Sequence, residues 1–199
     1  MRTKHFSDLI IVFLILFTAS CGTKTDDKAE NLVNYDSVYA LYNTVKFKSD
    51  SSWENMISED ENKFDLMNQL ISEMENKGLS SEKAEELKNN LNDLKELQYS
   101  REDLKDSEKI DEYDSATDTF TMNLFEAADE INLEEKSEDA KALMDSIEAA
   151  NNNRLMLRID HDVHTKVYNE IIVTYPDSIA GFENGTQPEE KGVFTIPSE

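Results

Sequence analysis

The chain has 199 residues and a formal charge of −23, from 20 Lys and Arg against 43 Asp and Glu. That is one domain of ordinary size, and the charge excludes nucleic acid as a partner, since a binder needs a basic footprint to displace counterions. A single cysteine excludes an internal disulfide framework and the Cys-rich zinc and iron–sulfur modules, and no cofactor is expected. All three prolines lie in the last 24 residues, and Gly78 is the only glycine between Thr23 and Tyr175. A strand-and-turn protein needs those residues for its turns. The chain therefore reads as helix.

Residues 1–20 read as a leader. Arg2 and Lys4 precede an apolar run, Leu9 to Phe17, of nine residues, well short of the roughly 20 that span a membrane. Thr18-Ala19-Ser20 then places small residues before the lone Cys21. This resembles a bacterial lipoprotein processing site in a relaxed form, with Thr18 where leucine is usual. The resemblance implies lipidation at Cys21 and a body held at the membrane of the bacterial cell envelope, in the periplasm or at the cell surface. Several acyl chains make a firm anchor where one is marginal. The acidic body is itself repelled by anionic headgroups, so the lipid must hold it. Residues 21–30 form an acidic tether.

From Asn31 the apolar residues keep helical spacing, and residues 31–176 read as a helical bundle. Leu32, Tyr35, Val38, Tyr42 and Val45 make a first stripe. The polar run Ser49-Asp50-Ser51-Ser52 is expected to break it, with Ser51 and Glu54 as a capping box for a restarted helix. Trp53, Met56, Phe64, Met67, Leu70 and Met74 carry the stripe to Gly78, a C-cap. Ser80 caps a second helix bearing Leu87, Leu91, Leu94 and Leu97. Beyond it, Glu102 to Ser115 is dense in charge, and a third, shorter helix is read from Phe120 to Ile131. Ser137 caps the last helix, whose expected stripe runs through Ala140, Leu143/Met144, Ile147, Ala150/Asn151, Leu155, Ile159, Val163, Val167 and Ile171 to Tyr175. Pro176 ends it. Residues 177–199, with three glycines and two prolines, cannot continue the helix. The expected fold is all-α, an elongated up-down antiparallel bundle of about four long helices.

Both ends of this body resemble the LemA family of bacterial envelope proteins. Tyr42-Asn43 matches an early Tyr-Asn pair. Trp53 aligns without gaps to Asp65-Leu66 in a signature that reads here Asn62-Lys63-Phe64-Asp65-Leu66-Met67-Asn68; the family's arginine pair is replaced by Asn62-Lys63 and its proline by Asn68. Near the other end Asn153-Arg154-Leu155, Arg158, Tyr168-Asn169, Tyr175-Pro176, Ile179-Ala180 and Phe182 stand in the family's order, with His161-Asp162 where it has Tyr-Asn. The resemblance implies a helical-bundle envelope protein, with these positions structural or partner-binding. It also implies that Ile179, Ala180 and Phe182 fold back on the bundle, with Phe194 and Ile196 as a second apolar pair. It supplies no reaction.

His161 and His164, with Asp160 and Asp162, could offer ligands to a transition ion, but the family's Tyr-Asn at 161–162 favours a solvated helical face and no metal. No Glu stands three residues before any histidine, so a di-iron bundle is excluded. Glycine-rich phosphate loops are absent. The clusters Glu59-Asp60-Glu61, Glu85-Glu86 and Glu134-Glu135 could collect divalent cations weakly, and otherwise read as solvated faces. Tyr168, Asn169, Arg154, Arg158 and Asp65 are expected to bond across the bundle, with Asp65 paired to Arg154 or Arg158. The expectation is a non-enzymatic, lipid-anchored envelope protein acting through an envelope protein partner. The alternative is an envelope protein that binds divalent cations or a small ligand.

Overall fold

A computed structural model describes residues 35–194. Over this span the chain forms α1 (Tyr35–Asn76), α2 (Ser81–Glu96), a 3-10 turn (Glu102–Lys105), α3 (Ser107–Glu130), α4 (Leu133–Lys136), α5 (Glu138–Thr174) and α6 (Pro176–Phe182). The fold is an all-α bundle, with no strand among the described residues. None of these helices is long and apolar enough to cross a membrane. Cys21 and residues 1–20, expected as a leader, lie outside the described residues, as does Ile196.

The 42-residue α1 is continuous, about 60 Å at 1.5 Å per residue. Its main buried seam is Tyr42, Val45, Ser49, Ser52, Met56, Asp60, Lys63, Met67, Leu70 and Met74, widened by buried Phe64 and Ile71 beside it. The seam advances in steps of three and four throughout, the spacing that keeps it turned to a partner helix. The expected break at Ser49–Ser52 is therefore corrected. Local capping chemistry loses there to tertiary bonds: Ser49 and Thr165 hydroxyls meet at 2.7 Å, and Ser52 donates to Asp160. A Schellman stop ends α1, with Gly78 at φ +116° and the Leu79 N–H bonded to the Met74 carbonyl at 2.9 Å.

The partner of α1 is the 37-residue α5, antiparallel to it. Facing pairs fix the register: Tyr42 with Tyr168, Ser49 with Thr165, Asp60 with Arg154, and Glu73 with Ser137. Ser137 accepts from the Ala140 N–H as the N-cap of α5, while its hydroxyl donates to Glu73 at 2.7 Å. One side chain thus starts α5 and pins it to the end of α1.

Two apolar cores flank the middle of this pair. The larger includes Met67, Leu70 and Met74 of α1, Leu87, Leu91 and Leu94 of α2, Phe120 and Leu124 of α3, and Ile147 of α5. Each buried side chain of this size contributes roughly 1.5–3 kcal/mol. The smaller joins Tyr42 and Val45 to Tyr168, Ile171, Ile172 and Ile179.

Three further expectations are revised. The charged stretch after Glu102 holds the 3-10 turn and the first turns of α3, which is 24 residues long and buries Ile110, Tyr113 and Thr117 ahead of Phe120. Asp106 caps it by accepting from the Glu108 N–H. Pro176 ends α5 yet opens α6 at its first position, where a missing N–H costs nothing. Helix thus continues to Phe182. On α5, Leu155, Ile159 and Val163 are exposed, while Arg154, His161, Asp162 and Thr165 turn inward.

Candidate functional site

Between the two cores, α1 and α5 carry polar residues on their buried seams. Ser49, Ser52, Asp60, Lys63, Thr117, Arg154, His161, Asp162 and Thr165 are all buried. Burying such groups is tolerated only when they are paired. The pairing divides into an ionic cluster and a clasp for the C-terminal segment.

The ionic cluster joins three helices. Arg158 of α5 grips Asp114 of α3 through Nη1 to Oδ2 at 2.6 Å and Nη2 to Oδ1 at 2.7 Å. The second contact is shared with a bond to the Tyr99 hydroxyl at 2.6 Å. Arg154 bonds Asp114 and reaches Asp60 of α1 at 3.4 Å. Lys63 Nζ lies 3.2 Å from Asp60, with 1% of its side chain exposed. Burial lowers the affinity of Lys63 for its proton, an effect that Asp60 opposes but does not cancel. Burial alone would raise the Asp114 carboxyl, and the two guanidiniums more than offset it, leaving Asp114 below the ordinary carboxylate value. Burial and the neighbouring Asp60 push the Tyr113 phenol up.

Arg154 and Arg158 line a cleft of about 270 Å³ with Asp114, Thr117, Asp118 and Asn151. Any anion entering it competes with Asp114 for both guanidiniums. The arrangement fixes register, because a slip of either helix would strand buried charge.

The clasp lies next along α1 and α5. Asn169 donates from Nδ2 to the Lys191 carbonyl at 2.8 Å and accepts from the Lys191 N–H at 2.9 Å. The Lys191 ammonium meets Asp50 at 2.6 Å, a carboxylate also bonded by Arg101. Burial raises the Asp50 carboxyl, but Lys191 and Arg101 outweigh it and hold the group below its usual value. The Phe194 N–H donates to Asp162 at 2.9 Å. Around the Phe194 ring stand Trp53, Tyr99 and His161, with the Arg158 guanidinium 4.8 Å from its centroid. At the far end Glu183 accepts from Tyr42 at 2.7 Å and Lys46 at 2.5 Å. These two bonds hold Glu183 below the ordinary carboxylate range.

The residues singled out in the sequence distribute unevenly. Trp53, Arg154, Arg158 and Asn169 lie in this central region, and Tyr42 and Tyr168 stand in the smaller core at its end. Tyr42 and Tyr168 stack at 5.6 Å, and Pro176 begins α6 beside them. Leu66 packs on the larger core. Asn43 and Asp65 are exposed, and Asn153, also exposed, bonds Glu59 at 3.2 Å. The expected pairing of Asp65 with an arginine is thus replaced by Asp60 and Asp114. The solvated face expected around His161 is likewise corrected. His161 is fully buried, with Nδ1 3.4 Å from Asp162 and Nε2 3.3 Å from Thr165. His164 instead faces Asp160 at 3.3 Å. Asp60, read with its neighbours as a solvated run, is buried as well. Among the described residues no three His, Cys, Asp or Glu side chains gather as a metal would require.

Sequence reasoning missed Asp60, Lys63, Asp114, Tyr99, Asp50 and Lys191. Asp60 and Lys63 carry a readable signal, since both fall on the three-and-four seam of α1. Asp114, Asp50 and Lys191 have none, because their partners come from distant segments. Comparison of the chain with protein-family models, curated proteins and solved structures finds no match.

Proposed function

We propose that this chain is a non-enzymatic, lipid-anchored bacterial cell-envelope protein of LemA-like type that acts through protein contacts. The observation that carries the contact reading is the outer face of α5. Leu155, Met156, Ile159 and Val163 are each more than half exposed there, while the arginines beside them are consumed by internal pairs. Such a row favours a protein partner over chemistry on a small substrate. The anchoring part rests on the apolar run Leu9 to Phe17 and the small residues before Cys21.

Two measurements test it. Cys21→Ala should abolish lipid labelling and either release the protein from membranes or stall its processing; normal cleavage with full membrane retention would refute the anchor. Ile159→Asp with Val163→Asp should remove crosslinked partners in intact cells without lowering the melting temperature; an unchanged crosslinking pattern would refute the contact face. The rival reading, divalent-cation binding, is favoured by the charge of −23. Calorimetric titration with Ca²⁺, Mg²⁺ and Zn²⁺ separates the two, and binding tighter than millimolar would favour the rival.

A further inference from the structure

Residues 191–194 are held as a peptide ligand is held. Asn169 bonds both the N–H and the carbonyl of Lys191, which reads extended backbone irrespective of side chain, as an added strand would be read. The side chains are read separately. The Lys191 ammonium sits between Asp50, at 2.6 Å, and the face of Tyr168, 4.6 Å from its centroid. At position 192 a Cβ would stand 2.6 Å from the Leu104 Cβ, so only glycine fits without a shift. At 194 the N–H goes to Asp162, and an aromatic ring is selected by Trp53, Tyr99, His161 and the Arg158 guanidinium.

We propose that this groove, between α1, α5 and the 3-10 turn, is a peptide-recognition site for an extended Lys-Gly-x-Phe segment, with x any residue. It is filled in cis by residues 191–194 and is open in trans to a partner chain carrying that four-residue chemistry. The connection to α6 favours exchange. Residues 186–193 adopt no regular structure, and Gly185 sits at φ +87°. Between Thr186 and Lys191 the bond from Gln187 to the Ile172 carbonyl, at 3.4 Å, is long. The segment can therefore leave the groove without unfolding a helix. This inference does not depend on where the chain is anchored, because the groove is complete within the described residues.

A short tether gives the cis segment an effective concentration of about 1 mM. A free peptide with a Kd of about 10 µM for the vacant groove would then bind the unmodified chain about a hundredfold more weakly. The test is a titration of a fluorescent peptide of residues 187–196 into the full chain carrying Lys191→Ala and Phe194→Ala, which vacates the groove. This tail variant should bind the peptide at least tenfold more tightly than the unmodified chain. Adding Asn169→Ala should abolish binding, as should Gly192→Ala in the peptide. Equal binding to both chains, or binding indifferent to Asn169, overturns the proposal. So does no binding by a tail variant that keeps its helical circular dichroism. If the tail variant does not fold, hydrogen exchange on the unmodified chain decides. Peptide at several millimolar should accelerate exchange at the Lys191 and Phe194 amides, which Asn169 and Asp162 protect, and unchanged exchange overturns the proposal.

Discussion

Arg158 and Asp114 meet in parallel, two nitrogens on two oxygens at 2.6 and 2.7 Å, and in doing so bind α5 to α3. The geometry specifies both distance and orientation, which lysine in place of arginine could not do. Arg154 uses the same carboxylate, so Asp114 neutralises two buried guanidiniums at once.

Removing Asp114 should therefore cost more than removing either arginine. Asp114→Ala leaves Arg158 with Tyr99 and Arg154 with only the 3.4 Å contact to Asp60. Breaking a buried pair in this way costs about 3 kcal/mol, the low end of the range because the Asp114 side chain is 32% exposed. Urea unfolding checks this. A double-mutant cycle with Arg158→Met should give a coupling of at least about 1 kcal/mol, and additive effects would show that the pair is ornamental.

Lys63 and Asp60 should respond in opposite ways. Lys63 is a buried ammonium whose burial already disfavours its charge. Lys63→Met removes that cost and leaves Asp60 paired with Arg154, so stability should stay within about 1 kcal/mol or rise. Asp60→Ala strands the Lys63 ammonium, while Arg154 keeps Asp114, and should destabilise by about 3 kcal/mol. Chemical denaturation of the two variants in parallel is sufficient, and the reverse order would mean that the Lys63 charge stabilises the fold.

The same groups set the response to pH. Asp114 and Asp50 lie below the ordinary 3.8, and Glu183 below 4.5. For a depressed carboxyl the unfolded chain takes up protons first as pH falls, so its stabilisation is present above the ordinary value and lost below it. These carboxylates should leave stability unchanged above about pH 5 and lower it below about pH 4, with Asp114→Asn flattening that acid limb. Lys63 acts at the other end. Its folded value is lowered, so between that value and 10.5 the unfolded chain holds more protons and this group makes stability rise with pH. Lys63→Met should remove that contribution. Urea midpoints from pH 3 to 10 at fixed ionic strength read both effects, and an acid limb unaltered by Asp114→Asn would exclude the carboxylate as its source.

Much of the helical framework was legible because its signals are local. Ser80 and Ser137 cap α2 and α5 through their own N-terminal N–H groups, and Gly78 supplies the positive φ that ends α1. The middle was misread for two physical reasons. The serines of 49–52 satisfy a local rule for a break, and only their partners on α5 make them interior residues. On α5 the expected stripe advanced by four from Leu155 to Ile159, Val163 and Val167. Each such step drifts about 40° around a 3.6-residue helix, so the row lies on the exposed face from Leu155 to Val163 and turns back toward the seam only at Val167 and Ile171. The true seam mixes steps of three and four through Ile147, Ala150, Arg154, Arg158, His161, Thr165, Tyr168 and Ile172. Its polar members concealed it, since a buried arginine resembles an exposed one until its carboxylate is known.

The C-terminal segment gives the last prediction. Ile179 is fully buried among Tyr42, Val45, Tyr168, Ile171 and Ile172, whereas Phe182 is half-buried with its edge against Tyr39 at 4.8 Å. Ile179→Ala should cost about 2–3 kcal/mol, and Phe182→Ala less. Truncation after Pro176 removes both, and also removes Glu183 from Tyr42 and Lys46, Lys191 from Asp50, and Phe194 from its aromatic box. Its loss should exceed that of Ile179→Ala, lowering the melting temperature by about 10 °C at 2–4 °C per kcal/mol for a chain of this size. Gly192→Ala should act on one end of this segment alone, forcing it off Leu104 while α6 stays seated. Calorimetry with limited proteolysis distinguishes the cases: Gly192→Ala should expose residues 186–194 to cleavage with a small change in melting, and truncation should lower melting outright. Truncation without effect on melting would mean that α1 and α5 hold their upper ends together unaided. The smaller core, with the buried hydroxyl of Tyr42, would then contribute nothing that Glu183 and Ile179 complete.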